Sequence, residues 1–295
     1  MNDVPALFFE GVVSQFIFKK ELSSGSALSG LRGASGHVAS QAYAKRCLLG
    51  MWLRNGRLDE ESYFNCEYAR VDTETTNRKH LHHMQITIRA GEEEYSTDPE
   101  ATQRILSATK GKHVLLSLRT SNISEEIAKC VESIRFVFAL ELYHITSNVL
   151  KLMRSLVAKN TLNEIFIAKD VKIEDETTQL LVDLLKQKQF HRMFLPEKCS
   201  AALKTIIASW RENSEEIVGK MVYCKEEFSE LQFSSTEFAF EECTKEEERK
   251  AERAYPFAGH LPCINAKSVL RNQNGSGVYC FSRPSDEFES VFLFV

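Results

Sequence analysis

The densest group of side chains able to do chemistry is Arg78-Lys79-His80-Leu81-His82-His83-Met84. On a strand, His80 and His82 would point the same way and could share a metal ion. Two ligands do not close a site, however, and the further Cys or acid needed is not identifiable from spacing. The run TTNRKHLHH reads as a polar loop, and neither a metal nor another cofactor is expected. Gly25 and Gly30, in GSALSGLR, have the separation of a phosphate loop. Leu31 and Arg32 stand where that loop needs Lys and then Ser or Thr, so the groups that would hold phosphate and magnesium are missing. With residues 19–36 rich in Gly and Ser, the stretch reads as a flexible linker. The eight cysteines (Cys47, Cys66, Cys130, Cys199, Cys224, Cys243, Cys263 and Cys280) are spread singly, without a Cys-x-x-Cys pair. That pattern suits reduced, mostly buried thiols and an expected cytoplasmic or nuclear location. No Ser, Cys or acid lies in a nucleophile elbow or comparable motif, so the chain is not expected to be an enzyme.

The bulk composition narrows the classes further. Of 295 residues, 43% are hydrophobic and 26% charged, the proportions of an ordinary globular protein. The net charge is −4 and the bases are scattered, where a nucleic-acid binder would show a basic stripe. No apolar run approaches the roughly 20 residues that span a bilayer. The opening MNDVPALFFEGVV lacks a basic leader and a cleavage site. Neither nucleic acid nor membrane is an expected partner. The sequons at Asn122 and Asn274 are expected to be unused.

The elements that would position any site come from a recurring strand–helix unit. FALELYHI, from Phe138, alternates like a strand, and beyond Asn148 the residues Val149, Leu152, Met153, Leu156 and Val157 share a helix face. Its apolar-x-apolar triplet recurs as Ile86-Thr-Ile88, Leu116-Ser-Leu118, Leu140-Glu-Leu142, Ile165-Phe-Ile167, Met193-Phe-Leu195 and Leu231-Gln-Phe233. Helical stripes lie between them: Ile123, Ile127, Cys130, Val131 and Ile134 behind a Ser124 cap; Leu180, Leu181, Leu184 and Leu185; and Leu203, Ile206, Ile207 and Trp210. Steps in the mid-twenties, with one strand and one helix each, predict an irregular leucine-rich-repeat-like α/β solenoid. The alternative is a non-repeating α/β sheet. Residues 63–71 and 84–89 read as strands, 40–54 as a helix, and 244–254 as a charged surface helix. The end alternates again (278–282 and 288–295) after the Asn274-Gly275 turn signal, which predicts an antiparallel β meander. Within it, Phe292-Leu-Phe-Val295 reads as a structural strand rather than a tail that would add to a partner's sheet.

Val4, Pro5, Phe8, Phe9, Val12, Val13 and Phe16 carry the most specific short signal. Pro5 suits a first helical turn behind an Asp3 cap, and Phe8, Val12 and Phe16 make a stripe at i, i+4 and i+8. This spacing resembles the first helix of an F-box. Together with irregular leucine-rich-like units and a β-meander end, the layout resembles the large F-box-like families expanded in nematodes. The resemblance implies that these seven residues dock on an adaptor of the Skp class, and that the chain is a substrate receptor of a cullin-type ubiquitin ligase. The expected organisation is an F-box-like helix over 1–18, a flexible stretch and helix over 19–62, the solenoid over 63–235, and a charged helix with a meander cap over 236–295. The expected function is a non-enzymatic protein-interaction module with an unidentified target protein. The alternative is a free-standing solenoid scaffold that binds no adaptor.

Overall fold

The computed structural model describes residues 47–65, 69–71, 81–90, 97–226, 240–254, 266–272, 275–282 and 290–295. The fold is mixed α/β and divides into two compact units, Met1–Val137 and Phe138–Val295. The F-box-like segment 4–16, the Gly/Ser-rich stretch and the triplet Leu231-Gln-Phe233 lie outside the described residues.

In the first unit, β1 (Cys47–Arg54) and β2 (Arg57–Phe64) form a hairpin through Asn55 and Gly56. Both turn residues have positive φ, 47° and 76°, as the hairpin turn matched to strand twist requires. The helix expected over 40–54 is therefore a strand from Cys47 onward. The run CLLGMWL is apolar on both faces and gives no period to read. Gly50, costly inside a helix, leaves room here for the Trp52 ring, which would meet a Cβ at 2.3 Å. The short β3 (Arg70–Val71) pairs with β2, while β4 (Leu81–Arg89) and β5 (His113–Arg119) run parallel to β1 in the order β5-β4-β1-β2-β3. His82 and His83 thus stand in a strand rather than in the expected loop. Leu49, Met51, Leu53, Met84, Ile86, Ile88, Val114, Leu116 and Leu118 alternate onto one deeply buried face.

Helices α1 (Pro99–Ala108) and α2 (Glu125–Ser133) pack against each other in this unit. The sequence reading passes over α1, although Asp98-Pro99 is a start signal: Asp98 accepts from the Glu100 amide at 2.9 Å and Pro99 opens the first turn. Ser124 caps α2 as expected, accepting from the Ile127 amide at 3.2 Å, with Glu125 and Glu126 favourably placed at the positive end of the helix dipole.

In the second unit β6 (Val137–Leu142), β7 (Glu164–Ile167), β8 (Arg192–Phe194) and β9 (Met221–Cys224) are parallel and adjacent in sequence order. Between them come α3 (Ser147–Ala158), α4 (Asp175–Leu185), α5 (Ser200–Glu212) and the short α6 (Ser214–Ile217). Monotonic order with right-handed crossovers puts α3, α4 and α5 on one side of these strands, and each touches the next. The buried stripes match the expected ones except on α4, where Val182 is buried and Leu180 is half-exposed. Beyond β9 the strand order continues β13 (Ser290–Phe294), β12 (Gly277–Ser282), β11 (Ala266–Arg271), β10 (Glu241–Glu242), each pair antiparallel. Val291, Phe292, Leu293 and Phe294 are buried in β13. The charged run forms α7 (Lys245–Ala254), whose Ala251 is buried.

The alternation on β6 and β7 makes a sharp stability prediction. Leu142 pairs in register with Ile167, and both are 0% exposed, whereas Glu141 beside them is only half-buried. Leu142→Asp strands a carboxylate in the core at a cost of several kcal/mol, a large part of the ~5–15 kcal/mol that holds a domain together. Glu141→Lys changes only the opposite face. Thermal melts should show no cooperative transition, or one lowered by well over 10 °C, for Leu142→Asp, and a shift of a few degrees for Glu141→Lys. The reverse order would contradict the strand phase.

Candidate functional site

The middle residues of the triplets on β6, β7 and β8 point away from the α3–α5 layer, so they define the opposite face of these strands. In the second unit this face has two registers. One holds Ala139, Glu164, Arg192 and Met221, and the next holds Glu141, Phe166, Phe194 and Tyr223. With Tyr143 at one end, the second register makes a row of aromatic rings. Centroids are 6.5 Å from Tyr143 to Phe166, 6.2 Å from Phe166 to Phe194, and 4.5 Å from Phe194 to the stacked Tyr223. Each such pair is worth about 0.5–1.5 kcal/mol beyond its buried area.

At its β9 end the row joins a core made by Met221, Tyr223, Val269, Tyr279, Phe281, Val291 and Leu293 under Ala251 of α7. Towards β6 the cover thins. Phe194, Phe166 and Tyr143 are half-buried where Tyr223 is buried. The row is thus an apolar layer buried at its β9 end and half-buried towards β6.

Beside the row, Arg192 donates to the carboxylate of Glu164 in an ion pair whose side chains are only 10% and 3% exposed. Two charges taken this far out of water hold each other in place, because neither can be left alone. Lys220, just before β9, donates through Nζ to the carbonyl oxygens of Gln187 (2.9 Å), Lys188 (3.2 Å) and Phe190. It pins the turn after α4, and burial lowers its pKa. These two fixed points set the level of β7, β8 and β9 and hence of the rings.

The remaining chemical groups are engaged locally. A pocket of about 730 Å³ lies against α7, β11 and β12. Its Arg271 donates to Glu247 and to Glu241. Glu247 also accepts from the Thr244 amide at 2.9 Å, closing a capping box that lowers its pKa together with Arg271. The Cys224 thiol is pushed well up by burial, with Cys199 and Cys280 beside it, which suppresses the thiolate needed for nucleophilic or metal chemistry. In the first unit His83 stacks on His113 with centroids 5.7 Å apart, and burial lowers the His113 pKa. Among the described residues no group of three His, Cys, Asp or Glu is placed to hold a metal ion. His80 lies outside the described residues, as do the seven residues expected to dock on an adaptor.

Sequence reasoning found the triplets but not the row. The signal was present in their middle positions, where Phe166 and Phe194 stand in place of the polar Thr87, Ser117 and Glu141. No protein-family model matches the chain, and a search of curated proteins gave no match.

The buried ion pair yields a test by double-mutant cycle. Glu164→Leu alone removes the carboxylate from a buried ion pair and leaves the Arg192 charge behind, which should cost about 3–5 kcal/mol. Adding Arg192→Met should recover most of that loss in chemical denaturation. Equal or additive losses in the single and double variants would show that the pair is not desolvated.

Proposed function

We propose that the chain is a non-enzymatic protein-interaction module. In this reading its stacked strand–helix units form an irregular leucine-rich-repeat-like solenoid that offers its strand face to a target protein. The observation that carries this reading is the row Tyr143, Phe166, Phe194 and Tyr223, whose first three rings stay half-buried on a sheet face that no helix of the α3–α5 layer covers. Aromatic side chains on rigid strands give large contact area at small entropic cost, which is why they anchor protein interfaces. Among the described residues no helix is long and apolar enough to cross a membrane. The N-terminal helix, through Val4, Pro5, Phe8, Phe9, Val12, Val13 and Phe16, docks on a Skp-class adaptor and links the target to a cullin-type ubiquitin ligase. Its support is the F-box-like spacing of those seven residues.

Co-purification of the intact chain with a Skp-class adaptor tests the ligase part. The intact chain should recover the adaptor. A chain lacking residues 1–18 should not, and its melting temperature should stay within a few degrees of the parent, because a helix reserved for a partner makes few internal contacts. An intact chain that recovers no adaptor, with a shortened chain that melts much lower, would establish the free-standing scaffold instead.

A further inference from the structure

The pocket against α7, β11 and β12 holds about 730 Å³, within the roughly 300–1,000 Å³ of small-molecule sites. Its charged lining falls into two sets. One set is satisfied within the chain: Arg271 donates through Nε to Glu247 at 3.1 Å and through Nη1 to Glu241, and Glu247 accepts from the Thr244 amide at 2.9 Å. The other set is not. Glu246 and Arg249 both line the pocket and are exposed, and neither makes an ion pair or side-chain hydrogen bond among the described residues. Positions i and i+3 on a helix are neighbours, so α7 presents one open acid and one open base side by side.

Tyr279 is a second and independent sign of a ligand. It is only 3% exposed, it lines the pocket, and its hydroxyl has no hydrogen-bond partner among the described residues. A buried tyrosine hydroxyl ordinarily finds a partner. The phenol end is seated over Gly277 of the pocket wall, where a Cβ would stand 3.2 Å from Cε2 and 3.6 Å from Cζ of the ring. Burial, with the Glu247 carboxylate nearby, raises the Tyr279 pKa, so the hydroxyl keeps its proton and can donate.

We propose that this pocket binds a small zwitterion of the amino-acid class, its carboxylate held by Arg249, its ammonium by Glu246, and a further acceptor by the Tyr279 hydroxyl. Charge decides the class. Two arginines and two glutamates line the pocket, and Glu241 brings a third acid to Arg271. No surplus of positive charge is left to favour a phosphate or another polyanion. A ligand that is neutral overall and charged at each end matches the open arginine and the open glutamate, each through a charge-assisted hydrogen bond. The site shares no residue with the aromatic row or with the F-box-like segment, so it stands apart from the target and adaptor readings.

The test is ligand-observed saturation-transfer NMR on the full-length chain with four millimolar probes. These are a pool of free L-amino acids and unblocked dipeptides, the same pool N-acetylated, the same pool amidated at the carboxylate, and inorganic phosphate. Members of the unblocked pool should bind, and blocking either end should weaken them about tenfold or more. Arg249→Gln and Glu246→Gln should each weaken them by a similar factor, and Tyr279→Phe about three- to tenfold. The melting temperature without ligand should not move in any of the three variants, because two of the side chains are exposed and the Tyr279 hydroxyl has no partner to lose. No binding of the unblocked pool, equal binding of either blocked pool, tighter binding of phosphate, or zwitterion binding unchanged in any one of the variants overturns the proposal.

Discussion

Mutual burial between neighbouring strand–helix units is the constraint on which the second unit depends. A strand as short as β8, Arg192–Phe194, cannot stand by itself. It is held because Met193 and Leu195 are buried among the side chains of the adjacent units, whose own triplets are buried in the same way. The helices obey the same rule: each presents a stripe to the core and touches the helix before or after it. The buried Glu164–Arg192 pair sits across one of these boundaries, between β7 and β8, and Lys220 fastens the turn after α4 to the start of β9. Polar groups are thus spent where adjacent units must keep register.

This division of labour leaves the other face for the remaining side chains. Once alternate residues are committed to the core, the middle residue of each triplet lies on the other face, buried in the first unit and half-buried in the second, and its chemistry varies from triplet to triplet. It is Thr87 and Ser117 in the first unit, and Glu141, Phe166 and Phe194 in the second. Of the stacked rings, Tyr143 after β6, Phe166 on β7 and Phe194 on β8 are half-buried, and Tyr223 on β9 is buried.

The period-two and helical patterns were legible where apolar residues alternate with polar ones. The triplets from Ile86 to Leu195 all fall on strands except Leu195, which directly follows β8, and the Ser124 cap was readable from its hydroxyl and following acids. Other elements were hidden for identifiable reasons. In β1 both faces are apolar, so no period distinguishes strand from helix, and only Asn55-Gly56 downstream marks a hairpin. Asp98-Pro99 announces α1, but with only Ala101 and Ile105 buried the stripe is too thin to recognise. In β9 the strand MVYC is apolar throughout and short, so the alternation of Leu231-Gln-Phe233 further on drew the reading past it. The aromatic row was visible as residue types, yet only strand register shows that its rings align. Register comes from pairing across the chain, which local patterns do not encode.

Hydrogen exchange under native conditions tests the dependence of each unit on its neighbours most directly. The amides of β7 and β8 should exchange through a common opening, with the same free energy and the same steep denaturant dependence, because neither strand keeps its core when the other is lost. If β8 exchanged through a smaller, nearly denaturant-independent opening while β7 stayed protected at the global limit, the units would be separable and the account of mutual burial would be contradicted.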